Sequence, residues 1–300
     1  MNRELALKVA NAVLYEGYML YPYRPSAIKN QQRWSFGILY PPAYHEVAGG
    51  TERSQMHSEC LLKIAGDEPA VQIQLRFLQL VVLEGREEGV ERSFECELPL
   101  AMAAQKFSFA FSGPAASATQ QEIMGTISLA IAKLNENVMK LTVDVANTSS
   151  IAGEARDRDR ALLASLMSAH TILSLRGGEF VSLLDPPNEL RQAISECKNI
   201  GNFPVLVGTE GERDMMLCSP IVLYDYPQVA PESAGDFFDG TEMDEMLTLR
   251  VMTLTDDEKD EMRNAGDHVR QLLERTEASA REQLMRTHGT IRSLRPVDEP

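Results

Sequence analysis

Three hundred residues, 44% hydrophobic and 24% charged, are enough for one large domain or two medium ones with a substantial core. With 44 acidic residues against 29 basic ones, the formal charge of −15 repels nucleic-acid phosphates and anionic membranes and argues against either as a partner. No run approaches the roughly 20 apolar residues of a membrane helix, and none near the N-terminus looks like a signal peptide. The four cysteines are too scattered for a secreted disulfide framework, so the cytoplasm is the expected compartment.

In chain order, residues 4–16 predict a short helix with Leu5, Val9, Ala12 and Val13 on one face. From residue 71 the apolar period becomes two. Val71 to Phe77, Phe94 to Leu98, Phe107 to Phe111, Ile127 to Ile131 and Met139 to Val145 each alternate with polar or small residues. Strands with one buried and one wet face belong to antiparallel sheets. Asn135-Glu136-Asn137 joins the last two runs as a hairpin, and residues 1–150 read as a β-rich, sandwich-like half.

Residues 151–285 read as a mixed α+β half, possessing its own elements but able to continue the same sheet. A helix is expected over 157–170, with Leu163, Leu166, Met167 and His170 on one face. Thr171–Leu175 and Glu179–Leu184 flank Arg176-Gly177-Gly178 as a glycine-turn hairpin. Asp185-Pro186-Pro187 caps a helix that buries Leu190, Ala193, Ile194 and Cys197 and stops before Gly201. Phe203–Val207 and Met215–Tyr224 pair as strands around Gly208–Arg213, and Glu245–Leu254 is a further strand. Thr255 and Glu258 form a capping box for one long polar helix to about residue 285, followed by a flexible tail over 286–300. The fold class is α+β.

Catalytic motifs are weak throughout. Gly208-Thr209-Glu210-Gly211 lacks the Lys-Ser/Thr of a phosphate loop and reads as a turn. His57 and Cys60 lie three apart, with Cys96 on another strand. They can be drawn together as a zinc or iron site, but the spacing does not demand it, and buried structural residues are the simpler reading. His170, on an apolar helical face, is a core histidine before it is a base. The acids Asp236, Asp239, Glu242, Asp244 and Glu245 do not follow the EF-hand pattern and read as a solvated loop. No metal or cofactor is expected.

One distribution is unusual. Tyr15, Tyr18, Tyr21, Tyr23, Tyr40 and Tyr44 surround Trp34, the sole tryptophan, and the two remaining tyrosines are Tyr224 and Tyr226. Residues 17–45 hold no acid but carry Arg24, Lys29 and Arg33, whereas residues 214–249 hold eight acids and no base. Tyr, Trp and Arg together are hot-spot chemistry. Two readings stand side by side: the segments pack against each other within the chain, or they present a partner surface. The partner surface would use Tyr18, Tyr21, Tyr23, Arg24, Arg33, Trp34, Tyr224, Tyr226, Asp236, Asp239 and Glu242.

The strings LYEGYMLYPYRPSAIKNQQRWSFGILYP (14–41), SAHTILSLRGGEFVSLLDPP (168–187) and SPIVLYDYPQVAPESAGDFFDGTEMDEMLTLRVMTLTDDEK (219–259) resemble an uncharacterised bacterial family. That family is associated with gene clusters for oxygen-tolerant, high-affinity nickel–iron hydrogenases of actinobacteria and acidobacteria. The resemblance implies an accessory role in maturation, cluster delivery or assembly, with a hydrogenase subunit or maturation factor as protein partner, and supplies no catalytic residue. The expected function is therefore a non-enzymatic accessory protein. A metal-dependent enzyme or metallochaperone, and a small-molecule-binding protein with a tyrosine-lined pocket, are the alternatives.

Overall fold

A computed structural model describes residues 2–16, 18, 19, 23, 27, 30, 36–83, 86–113, 121–151, 156–228, 247 and 250–287. The chain forms two compact units, residues 1–16 with 34–229, and residues 17–33 with 230–300.

The first unit is α+β, with ten strands in two five-stranded antiparallel sheets. The strands are β1 (Gln55–Ile64), β2 (Ala70–Leu83), β3 (Arg86–Pro99), β4 (Ala104–Phe111), β5 (Ile123–Lys133), β6 (Val138–Asn147), β7 (Met167–Arg176), β8 (Gly178–Phe180), β9 (Phe203–Leu206) and β10 (Met215–Ser219). One sheet has the order β4-β5-β6-β1-β8 and the other β3-β2-β7-β10-β9. All five period-two runs are strands. In the β5–β6 hairpin, the Asn135 side chain accepts from the N–H groups of Asn137 and Val138 at 2.9 Å, which fixes the turn.

The alternating apolar residues of both sheets meet in one core. Val71, Ile73, Leu75 and Phe77 of β2 share it with Ile127 and Leu129 of β5 and Leu141, Val143 and Val145 of β6. The second sheet is also covered on its other face. Helix α1 (Asn2–Tyr15) lays Ala6, Val9, Ala10 and Val13 over Ile172, Val205, Val207, Met215 and Leu217. The buried stripe is turned from the expected one, since Leu5 is 38% exposed and Ala6 and Ala10 are buried. Small alanines facing the strands let the helix backbone approach the sheet closely.

That double coverage explains the largest correction. Residues 157–170 are not one helix: a short helix spans Arg158–Leu163, capped by Asp157, whose carboxylate accepts from the N–H groups of Asp159 and Arg160. Met167 and His170 belong to β7, a central strand buried on both faces, where polar alternation is erased and periodicity no longer separates strand from helix.

The Arg176–Gly178 turn does not make a hairpin either. Gly177, at φ +73°, carries the chain from β7 in one sheet to β8 in the other, where β8 pairs with β1. After Asp185-Pro186-Pro187 a single 3₁₀ turn, Asn188–Leu190, precedes a short helix, Arg191–Ser195; Pro187, not Asp185, stands at the N-terminal flank. Strands β9 and β10 pair antiparallel, as expected.

In the second unit, Leu247 and residues 250–252 are helical, not a strand. The capping box is present: Thr255 Oγ accepts from Glu258 N–H at 3.3 Å, and Glu258 Oε2 accepts from Thr255 N–H at 2.9 Å. Its helix ends at Arg263, and a separate helix spans Asp267–Thr287, so the expected single helix is two. The break falls at Gly266, whose φ of +125° is unfavourable for other residues. The expected tail over 286–300 lies almost wholly outside the described residues. No helix among the described residues is long and apolar enough to cross a membrane.

Candidate functional site

Tyr18 and Tyr23 are 2% and 0% exposed, and the Tyr18 ring stands edge-on to His268 with centroids 5.7 Å apart. Tyr21, Arg24, Arg33, Trp34, Asp236, Asp239 and Glu242 lie outside the described residues. So does the expected approach of Arg24 or Arg33 to an acid of 225–245, although residues 17–33 and 230–300 belong to one unit.

Tyr224 and Tyr226 separate sharply. Tyr226 is half-buried against the core, its N–H donating to Leu206 O at 2.7 Å and its hydroxyl to Glu212 O at 3.0 Å. Burial pushes its phenol pKa up. Tyr224 is 86% exposed. The segment after β10 alternates: Ile221 and Leu223 pack on the cluster beneath α1, while Val222, 71% exposed, and Tyr224 point outward. The next residue is anchored, since Asp225 accepts from Leu206 N–H at 2.8 Å and from the Ser182 hydroxyl at 2.5 Å. A protruding tyrosine is thus mounted on a fixed backbone.

The candidate metal residues are spread over the fold. His57 and Cys60 differ by three positions on one strand and therefore point to opposite faces of β1. Cys60 enters the core, whereas His57 donates from Nδ1 to Asp144 at 2.7 Å on the other face. Cys96 lies on β3, in the other sheet. Beside His57, Glu59 accepts from Lys140 Nζ at 2.8 Å and from Lys198 N–H at 2.8 Å. Burial works against the Glu59 charge, but these donors outweigh it and hold its carboxyl below the usual range. Among the described residues, no group of three or more His, Cys, Asp or Glu is placed to hold a metal ion. The four cysteines are unpaired, and burial pushes the thiols of Cys96 and Cys218 up to about 12 and about 11.

Sequence spacing did not point to a cleft of about 410 Å³ in the first unit. Its lining includes Tyr40, Glu52, Arg53, Arg158, Phe203 and Pro220. Backbone bonds fix the frame: Leu39 and Leu166 exchange N–H to O bonds of 2.9 and 3.1 Å, Tyr40 N–H donates to Arg53 O at 2.7 Å, and Ala169 N–H donates to Gly37 O at 3.0 Å. Buried Asn147 ties the same corner, donating to Leu39 O and Ala164 O at 2.8 Å each. Gly37 must be glycine here: its φ is +54°, and a Cβ would stand 2.5 Å from Pro220 Cγ. The Tyr40 hydroxyl bonds the Arg158 guanidinium, while burial, the largest influence, raises the phenol pKa. The contributing segments are far apart in the chain, so only the folded backbone gathers them. Neither the scan against protein-family models nor the search of curated proteins gives a match for this chain.

Proposed function

We propose that the chain is a non-enzymatic, cytoplasmic accessory protein that binds a protein partner, with Tyr224 as an anchor of the binding surface. The exposed ring on an anchored backbone is the observation that supports this reading. Burying an aromatic ring of this size contributes about 1.5–3 kcal/mol. A pre-organised segment loses little entropy on docking. The net charge of −15 favours a protein over a nucleic acid as partner. We take the two sheets to face each other as a sandwich that carries this surface; the Phe77 and Phe109 rings, from different sheets and 6.1 Å apart, support that arrangement.

The resemblance of residues 14–41, 168–187 and 219–259 directs the choice of partner to a nickel–iron hydrogenase subunit or a factor in its maturation. Affinity capture from a host that expresses such a hydrogenase, with the wild type and Tyr224→Ala as baits, tests the reading. Capture of a hydrogenase subunit or maturation factor is expected. Tyr224→Ala should weaken it by about 30-fold, on the order of 2 kcal/mol, while leaving the melting temperature unchanged. Undiminished capture by the variant removes Tyr224 as the anchor, and failure to capture any such protein removes the hydrogenase assignment.

A further inference from the structure

The cleft beside Tyr40 has the equipment of a ligand site. Its volume of about 410 Å³ falls within the usual range for small-molecule pockets, roughly 300–1,000 Å³. Ile38, Leu39, Met56, Ala169 and Phe203 give it an apolar lining, and Phe203 still exposes 47% of its surface. Two guanidiniums share this concavity, Arg53 and Arg158, against a single carboxylate, Glu52. In a chain with a large excess of acids, neither arginine forms an ion pair with any described residue, although Arg160 nearby pairs with Asp157 at 3.1 Å. Arg158 is held by the Tyr40 hydroxyl, and the stem of Arg53 lies over Gly201, where an added Cβ would come within 3.2 Å of Arg53 Cδ. Both planar donor groups are therefore steered at their bases by the fold.

We infer that this cleft binds a small organic anion, a carboxylate or phosphate monoester on an apolar or aromatic body, with Arg53 and Arg158 on the oxyanion and Phe203 against the body. A guanidinium presents paired N–H donors that match two oxygens of either group. Phe203 and the aliphatic floor explain why the body should be apolar. The site is separate from the Tyr224 strip and independent of the partner proposed above.

Isothermal titration of the full-length protein tests the inference with four probes: phenyl phosphate, benzoate, inorganic phosphate and, as a cationic control, benzylamine. Phenyl phosphate or benzoate should bind in the micromolar to millimolar range, and the tighter of the two names the anionic group. Arg53→Gln should weaken that probe about tenfold; because Arg53 meets the frame through its backbone carbonyl, this variant keeps the fold. Arg158→Gln should do the same, with the melting curve as the check on folding. Phe203→Ala should weaken the aromatic anion several-fold and leave inorganic phosphate as it was, while Tyr224→Ala should change none of them. No heat from either aromatic anion at about 10 mM, binding of benzylamine as tight as theirs, or affinities unmoved by Arg53→Gln would overturn the assignment.

Discussion

His170 is wholly buried on β7, and its Nδ1 lies 2.8 Å from Ser168 O. A carbonyl only accepts, so Nδ1 carries the proton and the neutral ring leaves Nε2 as a bare acceptor. That atom has no hydrogen-bond partner, and neither does buried Nη1 of Arg76, the residue in register with it on β2. Glu91 receives the other end of Arg76, Nη2, at 3.4 Å and also accepts from the Tyr15 hydroxyl at 2.7 Å, so little negative charge remains for an imidazolium. Burial, followed by the Arg76 charge, lowers the His170 pKa to about 4, although the Ser168 carbonyl works the other way. The folded-state value lies below the unfolded one near 6.5, so the unfolded chain takes up the proton first. Stability from this residue is complete above about pH 6.5 and is lost as the pH falls toward 4, by roughly 3 kcal/mol in total. Urea unfolding at a series of pH values should show that loss in the wild type. His170→Asn, which keeps a donor toward Ser168 but cannot titrate, should show a flatter dependence between pH 6.5 and 4. Parallel curves for the two proteins would mean that the ring protonates without penalty.

Among the secondary elements, β4 and β5 show how one missing side chain shapes the core. Gly125 is in register with Phe109, and a Cβ there would stand 2.2 Å from Phe109 Cζ and 2.8 Å from Ala146 O. The glycine lets the phenyl ring lie across the partner strand and meet Phe94 and Phe77 of the other sheet, with centroids 5.3 and 6.1 Å away. Gly125→Ala should destabilise the fold by about 1–3 kcal/mol, read as a lower urea midpoint with the slope unchanged, because the extra methyl overpacks a closed core. Phe109→Leu introduced into Gly125→Ala should recover part of that loss, and strictly additive effects would place the strain elsewhere. The alternation of Phe107, Phe109 and Phe111 revealed the strand in the sequence. The need for glycine opposite them did not show, because it depends on which residue the register places across from Phe109.

For the molecule as a whole, the informative feature is the sheet that crosses residue 150. β2 and β3 come from the first half of the chain, and β7, β10 and β9 from the second. Leu173, Leu175, Leu206 and Met216 complete the core begun by Val71, Ile73 and Leu75. A fragment of residues 1–150 leaves one edge of β2 unpaired and that core open. It should lack a cooperative thermal transition by circular dichroism and should bind a hydrophobic dye, whereas residues 1–300 melt cooperatively. A sharp transition in the fragment would show that the first half closes its own core.

From the sequence alone, the antiparallel strands of 71–145, the capping box at Thr255 and Glu258, the Asn135 hairpin and the unsuitability of this acidic chain for nucleic acid could all be read. Each rests on residues close together in the chain or on a sum over all of it, such as period-two alternation, a side chain reaching a nearby backbone N–H, or net charge. Only the tertiary structure decided that 167–176 is a strand, that Gly177 sends the chain between sheets, that Tyr18 and Tyr23 are buried while Tyr224 protrudes, and that Tyr40, Arg53, Arg158 and Phe203 share a cleft. A strand covered on both faces loses the polar alternation that marks it. Exposure and proximity between distant segments depend on what the rest of the chain packs around them, which no local pattern encodes.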